Sequence, residues 1–149
     1  MRLYRISLAR WADRLSASGQ AARWNSKGRF VIYTAASRAL ACLENVVHRS
    51  GEGLHEAFRV MTIELPDTLP VATINDAQLL PDWSDFRHYP DCQLLGDTWL
   101  NAGQTAVLRV PSAIIPHEFN FLLNPNHPDF AGIRLVATEP FVFDSRLKS

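Results

Sequence analysis

Cysteine is scarce in this chain, with Cys42 and Cys92 the only two in 149 residues. They form no CxxC pair and no metal-ligand spacing, which removes a disulfide framework and a structural zinc site from consideration. Cys42, between Ala41 and Leu43 on an expected helix, reads as a buried free thiol. An excess of charge of either sign is missing too: 15 basic and 15 acidic side chains give a formal net charge of zero. Proteins that grip phosphate backbones are usually clearly basic, so nucleic acid is not expected as the main partner. No apolar run nears the ~20 residues of a membrane span. The opening M-R-L-Y-R-I-S-L-A-R-W is too interrupted by arginine for a secretory signal. A reducing compartment, the cytoplasm, is the expectation. Internal repeats, low-complexity tracts and linkers are absent as well.

What is present is an ordinary core-forming composition, 47% hydrophobic and 20% charged, in a length suited to one domain spanning residues 1–149. Leu3 to Ile6 reads as a short strand, and Ser16 to Gly28 as an ordered loop. Phe30 to Thr34 and Phe58 to Leu65 read as strands. Between them Ser37 caps a helix to about Arg49, stopped by Ser50-Gly51. After Pro66 the chain wanders to Pro90, with a short helix near Asn75 to Leu80. A helix follows over Asp91 to Ala102, with Leu94, Leu95 and Trp99 at helical spacing. Strands are expected at Thr105 to Val110, Ile133 to Ala137 and Phe141 to Phe143. Irregular interleaving of strands with two or three helices predicts an α+β fold with a mixed or antiparallel sheet.

Glu44 stands out within the first helix. Leu40, Leu43 and Val47 form an apolar stripe, and at ~100° per residue Glu44 points only ~40° from Leu40. It is either a helix-flank glutamate or a carboxylate on the packed face, where it needs a partner. Arg23 in the preceding loop is one candidate partner. Its planar fork either stacks on an aromatic ring or takes a phosphate or carboxylate in bidentate fashion. Tyr33 is a core tyrosine or a stacking surface for a heteroaromatic ring. Ser112 lacks a G-x-S-x-G elbow, so it hydrogen-bonds a ligand or caps a turn rather than acting as a nucleophile. Asn120, Asn124 and Asn126 interleave with Pro125 and Pro128, a pattern of Asx-turns in a fixed loop that includes His127. Glu44 and His48 share a helix face, but no third ligand accompanies them, and no metal is expected.

Four segments together resemble the RES domain family: G-x3-R-W-N-x2-G-x4-Y-T-A-x-S-x-A-L-A-x-L-E (Gly19 to Glu44), Val110-Pro111-Ser112, N-P-x-H-P-x-F (Asn124 to Phe130) and P-F-x-F-D-x-R-L (Pro140 to Leu147). The family takes its name from an arginine, a glutamate and a serine, here Arg23, Glu44 and Ser112. The resemblance implies a single domain with an ADP-ribosyltransferase-like mixed β-sheet core and flanking helices. It implies the toxin half of a bacterial toxin–antitoxin pair that degrades NAD by cleaving the nicotinamide–ribose bond, with water or inorganic phosphate as acceptor. NAD is then the substrate, and no cofactor is expected. Catalysis would fall to Arg23, Glu44 and Ser112, in a pocket lined also by Arg5, Tyr33 and Asn124. In that arrangement Arg23 and Glu44 serve different ends of NAD rather than each other. The implied partner is an Xre-like helix-turn-helix antitoxin that occludes the active site, with homodimers inside a larger complex. Competing expectations are ADP-ribosyl transfer to a macromolecule, a non-catalytic interaction module, and, disfavoured by the neutral charge, a nuclease.

Overall fold

The computed structural model describes residues 1–48 and 57–147. Seven strands and two helices form the frame: β1 (Arg2–Leu8), β2 (Ile32–Ala35), α1 (Arg38–His48), β3 (Phe58–Glu64), β4 (Val71–Thr73), α2 (Tyr89–Ala102), β5 (Val107–Pro111), β6 (Phe119–Leu123) and β7 (Arg134–Phe141). All strands belong to one sheet in the order β4-β5-β6-β2-β1-β3-β7. The β4–β5 pairing is parallel, whereas β6 pairs antiparallel with both β5 and β2. This is an α+β fold with a mixed sheet.

Period-two alternation decides which side chains meet. Leu3, Ile32, Ile63, Val107, Phe121 and Leu123 share one core cluster on one face. On the other face Ile6, Ala35 and Val60 receive Leu40 and Ala41 of α1. Leu108, Val110 and Leu122 receive Cys92 and Trp99 of α2. Both helices therefore cover the same face, α1 over β1, β2 and β3, and α2 over β5 and β6. Between those halves the sheet is weakly joined. β1 pairs with β3 along its length, but among the described residues it pairs with β2 at Tyr4↔Ala35 alone. Where the strands part, the Arg5 guanidinium donates to the Tyr33 carbonyl (2.8 Å), so a side chain satisfies an acceptor that the sheet leaves open.

Several sequence expectations need correction. The Ser37 hydroxyl does cap α1, accepting from Leu40 N–H (3.1 Å), but the Leu40/Leu43/Val47 stripe is not the inward face. Val47 is 57% exposed, while Leu40 and Ala41 are buried and Asn45 donates to the Ile6 carbonyl (3.1 Å). At ~100° per residue Glu44 lies between Leu40 and Ala41, so the helix is rotated yet the carboxylate still faces inward. The expected stop at Arg49, Ser50 and Gly51 lies outside the described residues. In α2 Leu94 points to solvent, and Cys92, Gly96 and Trp99 face in. Of the two thiols Cys92 is the buried one and Cys42 is half-buried. Two short strands, β4 and β6, went unread. The two separate C-terminal strands are one, β7, and Pro140 is tolerated within it because β7 is a sheet edge. The turn at Asp76–Gln78 is 3₁₀, closed by reciprocal Asn75 and Gln78 bonds.

Candidate active site

The Arg23 loop is held by a few main-chain bonds, such as Ala22 N–H to the Asn25 carbonyl (3.0 Å) and Gly28 N–H to the Gly19 carbonyl (2.8 Å), and by side chains. Asn25 is buried, and its two amide hydrogens are shared among the carbonyls of Gln20 (2.9 Å), Ser26 (3.2 Å) and Arg29 (3.0 Å). Its carbonyl oxygen accepts from the Tyr33 hydroxyl, which in turn accepts from Trp24 N–H (3.1 Å). Burial raises the Tyr33 pKa, which keeps the phenol protonated and donating. One face of α2 supports the same loop. Gln93 donates to the Ala22 carbonyl (2.9 Å), and Asp97 accepts from Ser26 N–H (3.2 Å) and from its hydroxyl (2.6 Å). Gly96 lies against the Trp24 main chain so closely that a Cβ there would sit 1.7 Å from the Trp24 oxygen.

So held, Arg23 sits between the rings of Tyr89 (4.5 Å to its centroid) and Trp83 (5.6 Å). Its guanidinium donates to the carbonyls of Trp83 (3.2 Å) and Ser84 (2.9 Å). No carboxylate pairs with it among the described residues.

Glu44 is held differently. The Ser112 hydroxyl donates to Glu44 Oε1 (3.2 Å) and accepts from Ile114 N–H and Ile115 N–H (3.1 Å each). With its hydrogen and both lone pairs committed, this hydroxyl is a fixed positioner of the carboxylate. Glu44 Oε2 lies 3.4 Å from His48 Nε2, and the carboxylate side chain keeps 22% of its exposure.

A cavity of about 490 Å³ lies between segments 76–84 and 111–117. Trp83 and Ser84 on one wall hang on Arg23, and Ser112 on the other wall holds Glu44.

The RES domain family model matches residues 2–144. This chain belongs to the RES domain family. It is 39% identical over 141 residues to the "Prs ADP-ribosylating toxin" of Sphingobium sp. (strain YBL2), spanning 91% of this chain and 88% of that protein. To the "Toxin Res" of Pseudomonas putida it is 38% identical over 152 residues, spanning 99% of each. To that of Yersinia enterocolitica it is 36% identical over 159 residues, spanning 99% of this chain and all of that one. A chain of the crystal structure of the M. tuberculosis MbcT–MbcA toxin–antitoxin complex shares the fold, with a TM-score of 0.73 at 20% identity, over 94% of this chain and 83% of that one.

Within this RES domain the sequence-derived residues divide into groups. Glu44 and Ser112 touch, and Arg23 stands behind the other wall of the cavity, bound to the carbonyls of Trp83 and Ser84. Tyr33 backs the Arg23 loop. Arg5, two residues from Leu3 on the same strand face, points away from α1 and Glu44, and its contact is with the Tyr33 main chain. Burial lowers its pKa. Asn124 is not part of the cluster. Its N–H donates to Ala106 O (2.9 Å) and its side chain accepts from Asn126 N–H (3.0 Å). That puts it at the end of β6 opposite Phe119 and Ser112, and Ser112, level with Glu118, is about 20 Å away at ~3.3 Å per strand residue. Asn25, Gln93, Gly96, Asp97 and Trp83 were missed as site residues. The signal for Asn25 was its place directly after Arg23-Trp24, whereas the others lie about 60 to 70 residues from Arg23 and need the fold.

The cavity wall is also tied to α2 through charge. His88 Nε2 lies 3.0 Å from Asp82, and Nδ1 lies 3.1 Å from Asp91. Bonds to Asp91 and then Asp82 raise the His88 pKa above its ordinary 6.5, while neighbouring Arg87 is engaged with Asp85. A raised folded-state pKa stabilises fully below the unfolded value and loses that contribution as pH rises through the folded one. Thermal unfolding midpoints should therefore fall for the wild type as pH rises from below 6.5 through the raised value. His88→Gln should flatten that slope, which scanning calorimetry at several pH values would test.

Proposed function

We propose that this RES protein is a toxin that cleaves NAD at the nicotinamide–ribose bond. The observation that carries this reading is the separation of Arg23 and Glu44. They do not pair with each other: Arg23 is bound to the Trp83 and Ser84 carbonyls behind one wall of the cavity, and Glu44 to the Ser112 hydroxyl behind the other, with His48 beside it. Arg23 keeps unused N–H donors for the pyrophosphate of the dinucleotide. Glu44 faces the ribose. As the C1′–N bond breaks, its electron pair stays on the ring nitrogen, nicotinamide leaves neutral, and positive charge develops on the ribosyl carbon and ring oxygen. A prepositioned carboxylate favours that charge in the transition state more than in the ground state. An acceptor lone pair then closes the bond to C1′. Water yields ADP-ribose, passing its proton to Glu44, and inorganic phosphate yields the 1-phosphate. NAD is consumed as substrate, and no further cofactor is required.

The relatives' names and the toxin–antitoxin assembly that shares the fold support the toxin part of the reading. That assembly also supports an antitoxin partner; that the partner is Xre-like and covers the cavity, that the toxin is a homodimer inside the complex, and that the frame is ADP-ribosyltransferase-like are part of the proposal. The test is incubation of the partner-free protein with NAD, with and without phosphate, with nicotinamide and the sugar product identified by chromatography. Absence of nicotinamide release would overturn it. The name of the Sphingobium relative favours a second outcome, transfer of ADP-ribose to a protein, which mass spectrometry would detect as a mass increment on the acceptor.

Ser112 acts on this reaction through Glu44. Ser112→Ala should lower kcat by about 10- to 100-fold, the worth of a hydrogen bond to a charged group. KM should change less than about threefold, because the hydroxyl has no free valence for substrate. Steady-state kinetics separates the two.

A further inference from the structure

Arg23 is seated by carbonyl oxygens, and those oxygens go where their turn goes. The Trp83 and Ser84 carbonyls that accept from it belong to a turn closed by Asp85 N–H on the Asp82 carbonyl (3.0 Å). A second turn follows directly, closed by His88 N–H on the Asp85 carbonyl (3.0 Å), and it delivers the chain into α2. From this junction the His88 imidazole, 21% exposed, reaches both ways. Nε2 lies 3.0 Å from Asp82, where the first turn starts, and Nδ1 lies 3.1 Å from Asp91 in the first turn of α2. A neutral imidazole has one N–H and one lone pair, so it donates to one of these carboxylates and turns its lone pair on the other. Only the imidazolium donates to both. The observed geometry is that of the charged ring.

We infer that the His88 imidazolium is a positioning residue: by tying Asp82 to α2 it holds the turn that seats Arg23, so that binding of the dinucleotide depends on the charge of His88. This rests on NAD being the substrate and on Arg23 meeting it. The tie to Asp91 is local, three residues along the chain. The tie to Asp82 crosses the two turns, so it is the one released when the ring loses its proton. Asp82 then faces a lone pair instead of a donor, and the turn that it opens carries the Trp83 and Ser84 carbonyls off Arg23. Bonds to Asp91 and then to Asp82 hold the His88 pKa above its ordinary 6.5, and the same contact lowers that of Asp82. With a raised value the tie is complete below the ordinary one and is lost as pH rises through the folded one. The neighbouring charges do not compete. Arg87 is engaged by Asp85 (3.0 Å), and burial raises the Cys92 pKa, which keeps that thiol neutral.

The test uses the full chain without its partner, in buffer without phosphate, from about pH 6 to about pH 9. In the wild type KM for NAD should rise about tenfold as His88 loses its proton, the scale of a charge-assisted bond moved off its partner. Over the same range kcat should stay within about twofold, because a hold on the pyrophosphate acts alike in ground and transition states. His88→Gln, neutral throughout, should show the high KM at every pH. His88→Arg, charged throughout and able to donate to two carboxylates, should keep KM low across the range, a rescue that a merely space-filling histidine would not give. A second readout needs no NAD: the amide chemical shifts of Trp83 and Ser84 in the wild type should titrate together with the His88 ring. A wild-type KM that ignores pH, an equal rise in His88→Gln, or Trp83 and Ser84 amides that do not follow the ring would each overturn the inference. A wild type whose amides follow the ring but which releases no nicotinamide from NAD overturns the underlying reaction instead.

Discussion

Glu44→Gln should lower kcat for NAD cleavage by about 10³-fold, the scale on which prepositioned electrostatic groups act. The variant keeps the shape of the side chain and an oxygen to accept from Ser112, whose hydroxyl stands 3.2 Å away. It removes the negative charge and puts an amide N–H donor in place of one carboxylate oxygen. On the proposed reaction that charge acts chiefly once the ribosyl cation forms. KM for NAD should therefore stay within about threefold of wild type. The thermal midpoint should move by no more than about 2 °C, since the carboxylate is not in a strong buried ion pair. Kinetics and calorimetry on one preparation check all three. A large rise in KM with unchanged kcat would mean that Glu44 binds the substrate rather than the transition state.

Some of this was legible in the sequence, for a physical reason. Local patterns report what a residue does within its own element. Ser37 as a helix cap, Gly103 as the left-handed end of α2 (φ 60°) and the apolar runs of β1, β2, β3 and β5 follow from such patterns. Glu44 could be placed facing inward although the stripe used to place it was wrong, because a carboxylate one position from Leu40 on the helical wheel faces inward under either rotation. What tertiary contact decides was not legible. Arg23 was read as a choice between stacking and anion binding, and the fold supplies the aromatic rings of Trp83 and Tyr89 from about 60 residues away. Asn124 was read in a loop of Asx-turns and Ser112 after a strand and a proline, and the resemblance placed both at the NAD pocket. The β5–β6 register sends them to opposite ends of the sheet. Strand β6 escaped notice because Phe119-Asn120-Phe121-Leu122-Leu123 is too short for its period to distinguish strand from helix.

Gly96→Ala should be strongly destabilising, although alanine is the better helix former by about 1 kcal/mol. Gly96 is buried in the middle of α2, and its Cβ would lie 1.7 Å from the Trp24 oxygen and 2.7 Å from the Trp24 carbonyl carbon, where real Cβ contacts do not fall below 3.0 Å. The obstacle is main chain, so no rotamer change relieves it. Either α2 moves outward or the 20–29 loop retreats, and that loop is also fixed to α2 by Gln93 and Asp97. Overpacking of this kind costs about 3 kcal/mol or more, so the net loss is about 2 kcal/mol, or roughly 4–8 °C in a chain of this length. Activity should fall further than stability accounts for. Arg23 precedes Trp24, and a displacement near 1 Å at a positioning group costs on the order of 10²-fold in kcat/KM. Gly103→Ala is the control. It also asks alanine to adopt a left-handed conformation, at a cost of about 1 kcal/mol, but its Cβ meets nothing within 4 Å. That variant should lose stability and keep full kcat. Equal activity losses in the two variants would mean that the contact between α2 and the loop does not position Arg23. A loss confined to Gly96→Ala would assign to one missing methyl group the placement of the arginine.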